Sequence, residues 1–509
     1  MANPWPPTHL PQELAAAAAP TAGAVLADTQ RRPEPGSRGA AKLAWLCAAV
    51  LLFAVVVLQQ SIGSGSAAGQ APAAGSGATA VVDAADDDPN LIIAKIFVRI
   101  NAALKESGAA SGPGPDPMEP FVDQLRQGAR THASRLRLAP ILGETRGAES
   151  ALGQLDELEK DLPADSPLRA DAAAFRAVYE GSAPPDAGAM KGLVDRHGYF
   201  GRVAETFGTG PADPFRVKAR EQGSTLIVVF VALGLVVLVG LLTGFGLFIT
   251  ALVMMATRSL RLRHVPAAAG GSLGIEMVAV FFLGFLVLKA SSMWVASFAG
   301  RDTVVWFSLC AQWGLLAIFA WPFARGMPWG EARASLGLHS GRGIVREMAA
   351  GLVGYLACIP ILLLGAITTL VALLVREAVR KAMNLPDAGP PTNPILELLA
   401  GTNGVQLVLL IALAVVWAPL VEETVFRGGL FRHLTGYMPW VAAGLVSALV
   451  FALGHAYDAL LLFPVMALGI GFAIIRQWRG SLIASMTAHA IHNAFVMTLT
   501  LAVFSQLGD

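Results

Sequence analysis

The chain is 509 residues long, 54% hydrophobic and only 14% charged, with a mean hydropathy of +0.57. Soluble domains carry about 25% charged residues, so a wholly soluble protein is excluded. The 37 basic and 36 acidic residues sum to +1, which excludes a strongly basic nucleic-acid binder, and three cysteines in apolar runs (Cys47, Cys310, Cys358) exclude a disulfide framework and read as small buried hydrophobes.

Residues 1–42 are rich in Ala and Pro without apolar periodicity and read as a disordered cytoplasmic tail. Arg31, Arg32, Arg38 and Lys42 crowd the entrance to an apolar run from Leu43 to Leu58, and the next charges are acidic, Asp83 and Asp86 to Asp88. That asymmetry predicts an uncleaved anchor over 43–60, with the N-terminus in the cytoplasm. Residues 61–89 read as a flexible linker. From residue 90 to 222 the composition turns globular: Leu91, Ile92, Ile96, Ile100 and Leu104 recur at helical spacing, as does the segment from Leu152 to Leu162. A helical extracytoplasmic domain is expected there.

Further spans are predicted at about 225–257, 273–297, 303–323, 349–375, 405–434, 438–456, 459–475 and 482–503, which with the anchor make nine. Residues 225–339 hold the additional helices, and 340–509 form the core that carries the motifs below. Arg258, Arg261 and Arg263, and later Arg325, Arg333, Arg342 and Arg346, fall in loops that alternation places in the cytoplasm. The expected fold class is therefore all-α: a polytopic membrane helix bundle of the cell membrane.

Ionisable groups inside a bilayer are costly and are functional suspects by default. Residues 418–427 read APLVEETVFR, ending an otherwise apolar run. Glu423 and Arg427 stand at i,i+4 with the acid first, the favourable order for an intrahelical ion pair. Glu422 points about 100° away on the same helix and has no such partner. A desolvated carboxylate without a counter-charge suits general-base work on a water. Pro419 leaves the carbonyl of Val415 without its helical donor, so a kink is expected that would open the acidic segment to a wet cavity. Two later spans offer Phe451 with His455, and His489 with Asn493, again at i,i+4. Gathered around one cavity, these groups would supply what amide hydrolysis needs: a base for water and donors for the developing oxyanion. His492 lies near the face of His489 as an alternate, His433 reads as a solvated cytoplasmic helix end, and Glu276 and Lys289 read as packing or interface groups. HExxH and Walker motifs are missing, which argues against zincin chemistry and against ATP-driven transport.

In these three motifs the sequence resembles the CPBP family, the CAAX-protease and bacteriocin-processing (Abi) group of intramembrane proteases. The family pattern EExxxR, FxxxH, HxxxN/D is met by Glu422-Glu423-Thr-Val-Phe-Arg427, Phe451-Ala-Leu-Gly-His455 and His489-Ala-Ile-His-Asn493. The resemblance covers roughly residues 340–505 and implies an all-α membrane fold that hydrolyses a peptide bond of a membrane-associated protein or peptide. It implies that Glu422 and His489 act on the water, that His455 and Asn493 hold the oxyanion, and that Glu423 and Arg427 support them. Cleavage is expected near the cytoplasmic side, where Glu422 is predicted to lie. A glutamate mechanism needs no cofactor, although two histidines and a glutamate are also a ligand set for Zn²⁺, the metalloprotease reading. The implied partners are the substrate and the lipid bilayer, with neither nucleic acid nor ATP. Two other readings are a non-proteolytic scaffold or bacteriocin-immunity protein that binds through residues 90–215, and a solute transporter with a proton relay. The complete motif set speaks against the first and the lack of an inverted repeat against the second.

Overall fold

The computed structural model describes residues 34–68, 89–107, 122, 125–126, 129, 131–181, 186–267, 270–385, 402, 404–455 and 458–505. Residues 1–33 of the expected tail and 69–88 of the expected linker lie outside this set, as do the Gly and Pro cluster at 111–117 and the side chains of Leu91 and Ile92. Among the described residues every element is a helix. The protein is an all-α, multi-pass membrane protein, with eight helices among the described residues long and apolar enough to cross a bilayer.

Helix α1 (Arg38–Ala68) begins inside the expected tail and extends beyond the apolar run at both ends. Six shorter helices follow: α2 (Pro89–Glu106), α3 (His132–Arg146), α4 (Ala148–Asp161), α5 (Leu168–Glu180), α6 (Ala187–His197) and α7 (Tyr199–Glu205). Leu136, Leu155, Leu158, Phe175 and Leu193 close one core of this domain, and Phe97, Leu138, Ile141, Tyr199 and Phe200 a second. In α2 the buried positions are Ala94, Phe97, Val98, Arg99, Asn101 and Ala103, whereas Ile96, Ile100 and Leu104 are only half-buried. The apolar stripe read from spacing is therefore rotated from the buried face, because α8 packs along that side of α2.

Helix α8 (Pro214–Ala256) begins in this domain and runs through the membrane, 43 residues or about 65 Å. Asp213 caps it by accepting from the Phe215 and Arg216 amides, and Pro214 occupies a first-turn position where its missing N–H costs nothing. Then come α9 (Leu273–Ala296), α10 (Arg301–Ala324, partly 3₁₀), the short α11 (Trp329–Leu336), α12 (Ile344–Ala357) and α13 (Ile359–Ala382). The expected span 349–375 is thus two helices, broken at Cys358 ahead of Pro360.

The C-terminal part consists of α14 (Gly404–Thr435), α15 (Trp440–Leu453), α16 (Leu462–Arg479) and α17 (Leu482–Phe504). The expected span 438–456 is corrected here. Helix α15 has 14 residues and rises about 21 Å, short of the roughly 30 Å hydrocarbon core. It ends at Gly454, and Asp458 caps a 3₁₀ turn (Ala459–Leu461) that sends the chain back down as α16. The hairpin reverses inside the bundle, so eight helices and one short element replace nine spans.

Alternate helix ends meet on one basic face. Arg263 N–H donates to Gln477 O at 3.1 Å, Ala267 N–H to Arg432 O at 3.2 Å and Leu482 N–H to Gly337 O at 2.9 Å. Arg432 pairs with Glu34, and Arg479 holds Glu347 through two hydrogen bonds of 2.7 and 2.9 Å. The helical domain of residues 89–213 sits at the opposite end, where α8 starts. Glu276 pins α9 to α10 by accepting from Trp321 at 3.1 Å and Arg325 at 2.8 Å, a packing role. Of the cysteines, Cys358 alone is buried; Cys47 and Cys310 lie exposed on the helix surfaces, because their runs face outward from the bundle.

Candidate active site

Helix α14 carries the acidic motif, and its backbone is not regular. It widens to π-helical winding over Leu413–Trp417 and again over Glu423–Phe431. The first widening is tied to Pro419. Ala418 N–H bonds to Leu413 O, five residues back, and the next residue in that register is Pro419, which has no N–H to give Ala414. The orphan carbonyl is therefore that of Ala414, one residue earlier than helical spacing predicts, and Asn493 Nδ2 on α17 donates to it at 2.7 Å. Asn493 thus holds α17 against the weakened turn of α14. Wide windings of this kind are frequent at functional sites.

The second widening buries Glu423 and Arg427 completely. Arg427 Nη1 donates to Glu423 Oε1 at 2.9 Å with both side chains at 0% exposure, and Nη2 donates to Gly469 O of α16 at 3.0 Å. Its guanidinium lies 4.4 Å from the Phe451 ring centroid and 5.2 Å from that of Phe472. Gly469 and Gly274 show why small residues stand here. A Cβ on Gly469 would come within 2.8 Å of Ala448 Cβ, and one on Gly274 within 2.5 Å of Gly429 O.

His489 of α17 completes the buried cluster. Its Nδ1 lies 3.3 Å from Glu423 Oε1, and its ring stacks on Phe472 with centroids 4.8 Å apart and planes at 22°. Glu423 Oε1 already accepts from Arg427, so Nδ1 carries the proton and a neutral His489 leaves Nε2 bare. That Nε2 faces Glu422 Oε2 at 3.9 Å, too far for a direct hydrogen bond. Glu422 Oε2 is buried without a hydrogen-bond partner, although the side chain as a whole is 16% exposed.

Glu422 and His455 line one cavity of about 160 Å³ together with Gln59, Gln312, Trp417 and Phe451. His455 Nδ1 donates to its own helix at Phe451 O, 2.8 Å away, and the ring packs edge-to-face on Phe451 at 4.7 Å. Of the six residues singled out in the sequence, Glu422 and His455 therefore line the cavity. Glu423, Arg427 and His489 are joined behind Glu422, and Asn493 bonds the α14 backbone. Spacing missed Phe472, Gly469, Gln59 and Gln312; the first two only supply a ring face and a carbonyl, which no side-chain motif reveals.

Packing bears on two further histidines. His492 turns its Nδ1 to Tyr355 Oη on α12, 3.1 Å away. His433 is not a solvated end. It is 3% exposed and accepts from Trp45 Nε1 at 3.3 Å, because α1 covers this end of α14. Glu422 stands ten residues before Arg432 on α14 and shares its cavity with Gln59 of α1.

Among the described residues no three of His, Cys, Asp or Glu gather as ligands of one ion would. In comparisons with known proteins, residues 404–495 match the family described as type II CAAX prenyl endopeptidase Rce1-like. The match runs from α14 into α17 and includes all six residues above. No curated protein and no solved structure matches the chain.

Proposed function

Through residues 404–495 the chain belongs to the CPBP family, and we propose that it hydrolyses a peptide bond of a membrane-associated protein by water activated on Glu422. At family level it is a CAAX-type intramembrane protease. The observation that carries the finer reading is Glu422 itself: an unpartnered Oε2 at a cavity wall, 3.9 Å from the bare Nε2 of a histidine whose other nitrogen is fixed by a buried ion pair.

A water lodged between Glu422 Oε2 and His489 Nε2 would bridge a gap of that size. Glu422 takes the proton of this water as its oxygen attacks the peptide carbonyl carbon, and the carbonyl π pair moves onto oxygen. Collapse of the tetrahedral species breaks the C–N bond, and the proton on Glu422 passes to the leaving amine. Glu423 and Arg427 do not touch the reacting atoms. They are positioning residues that set the tautomer and the ring plane of His489, with Phe472 against its face.

The geometry refines the oxyanion assignment. With Nδ1–H spent on Phe451 O, a neutral His455 presents an acceptor at Nε2 and donates only as imidazolium. Oxyanion stabilisation by His455 therefore requires its protonated form, whereas Asn493 keeps a second amide hydrogen beside the one given to Ala414. No step runs through a metal, so 1,10-phenanthroline in excess leaves cleavage unchanged; loss restored by added Zn²⁺ would contradict this mechanism.

The basic face is placed in the cytoplasm by the positive-inside rule. The N-terminus is then cytoplasmic and the domain of residues 89–213 lies outside. Peptides cut by the wild-type protein and left whole by both Glu422→Gln and His489→Ala support the assignment. Cleavage retained by Glu422→Gln overturns it.

A further inference from the structure

Two concave surfaces meet on the basic face, and neither belongs to the catalytic cavity. The first, about 310 Å³, is lined by Arg263, Arg342, Arg432, Arg476, Arg479 and His339, with no acidic side chain in its wall. Glu34 and Glu347 neutralise Arg432 and Arg479 from outside it, whereas Arg263 and Arg342 have no acidic partner among the described residues. Arg476 is 2% exposed. Its two terminal nitrogens donate to the carbonyls of Gly480 and Leu336, but its Nε has no acceptor. A buried guanidinium with an unmet donor at the wall of a cationic pocket is a site built for an anion.

The second surface is an apolar groove of about 550 Å³ between α8, the α12–α13 junction and α16, walled by residues such as Phe248, Leu252, Ile361 and Ile474. It is a groove in the membrane-facing surface. Its lining includes Arg263, Arg342 and Arg479, which also line the first pocket, and Arg261 beside them. One ligand with a phosphate head and a long hydrocarbon tail satisfies both surfaces at once. Neither a free anion nor a plain hydrocarbon does.

We infer that this composite site binds one anionic phospholipid, its phosphate on Arg263, Arg342 and Arg476 and an acyl chain in the groove beside α8. The charge fits the occupant, since an anionic lipid brings the counter-charge that Arg263 and Arg342 lack, and a zwitterionic one brings none in net. Helix α16 links this site to the catalytic cluster. Arg476 stands one turn beyond Phe472, whose ring supports His489, and two turns beyond Gly469, which holds Arg427.

The test uses the full-length protein, purified in detergent and stripped of lipid, with phosphatidylglycerol and phosphatidylcholine of identical chains and with inorganic phosphate as probes. An arginine near a lipid headgroup is worth roughly a fivefold preference for anionic lipid. Wild-type protein therefore prefers phosphatidylglycerol, and Arg263→Gln/Arg342→Gln loses about twenty-five-fold of that preference. Both side chains are exposed, so the variant keeps its fold. Leu252→Trp, which fills the groove from an exposed position, weakens lipid binding of either kind. Equal affinity for the two lipids identifies ordinary annular lipid and overturns the inference. So does inorganic phosphate that binds as tightly as phosphatidylglycerol, or a preference unchanged in the double variant.

Discussion

In the helical domain of residues 89–213, Arg176 reaches Asp156 at 2.6 Å and Glu159 at 3.1 Å with about a quarter of its side chain in solvent. In the bundle, Arg427 and Glu423 meet at 2.9 Å with no exposure on either side. The two pairs look alike as hydrogen bonds and differ in what surrounds them. Water screens the first and leaves it worth little. The second exists in a medium that penalises each charge by several kcal/mol unless the other stays in place. The Arg176 pairs decorate a core made by Leu136, Leu155 and Phe175 in the helical domain. Charge in the bundle is itself the interior, and it stands where a histidine must be aimed at a carboxylate.

The contrast is broken most directly at Arg427. Arg427→Ala leaves Glu423 buried and unpaired, so the variant should lose about 3–5 kcal/mol of stability, read as a fall in thermal midpoint of the detergent-solubilised protein. A midpoint near wild type would mean that the bundle interior is wetter than its packing indicates. Next comes Asn493. Asn493→Leu orphans the Ala414 carbonyl and should cost about 1–3 kcal/mol, with hydrogen exchange increasing selectively in the first half of α14. Uniform exchange would place the support of that turn elsewhere.

In the helical domain Asp171, a buried carboxylate, tests the same idea through pH. Burial pushes the Asp171 carboxyl upward, but hydrogen bonds from His197 and Arg196, with their charges, outweigh it and hold the group below the usual carboxylate range. Its stabilisation is complete above the unfolded value near 4 and is lost as pH falls through the lower folded value. Susceptibility of the domain to limited proteolysis in the full chain should therefore rise in wild type as pH falls below about 4, and Asp171→Asn should flatten that dependence. An unchanged profile would remove Asp171 from the account. The smallest effect is expected at Arg176→Ala, about 1 kcal/mol or less; a loss like that of Arg427→Ala would erase the contrast.

These differences also explain what could be read from the chain alone. Helical spacing found the Glu423–Arg427 pair and the motif histidines, because an i,i+4 relation survives even a widened helix. Apolar run length found every long span. It erred at α15, where Gly454 and Asp458 end the helix and turn the chain inside the bundle. Pro419 announced a disturbed helix, but the orphan falls on Ala414 and not Val415, since the choice between α and π winding is made by packing on α17. His433 is beyond any local rule. It follows Arg432 near a helix end, and the residue that covers it, Trp45, lies 388 positions away.

The central claim is that Glu422 is the base and that the charges behind it only position His489. Its most direct measurement is cleavage of the same membrane-reconstituted substrate by wild type, Glu422→Gln and Glu423→Gln, each first confirmed to be folded by its thermal midpoint. Glu422→Gln should keep a near-wild-type midpoint while cleavage falls by at least about a hundredfold, and Glu423→Gln should lose stability and retain measurable cleavage with a shifted pH profile. A folded Glu422→Gln protein that cleaves at the wild-type rate would contradict it.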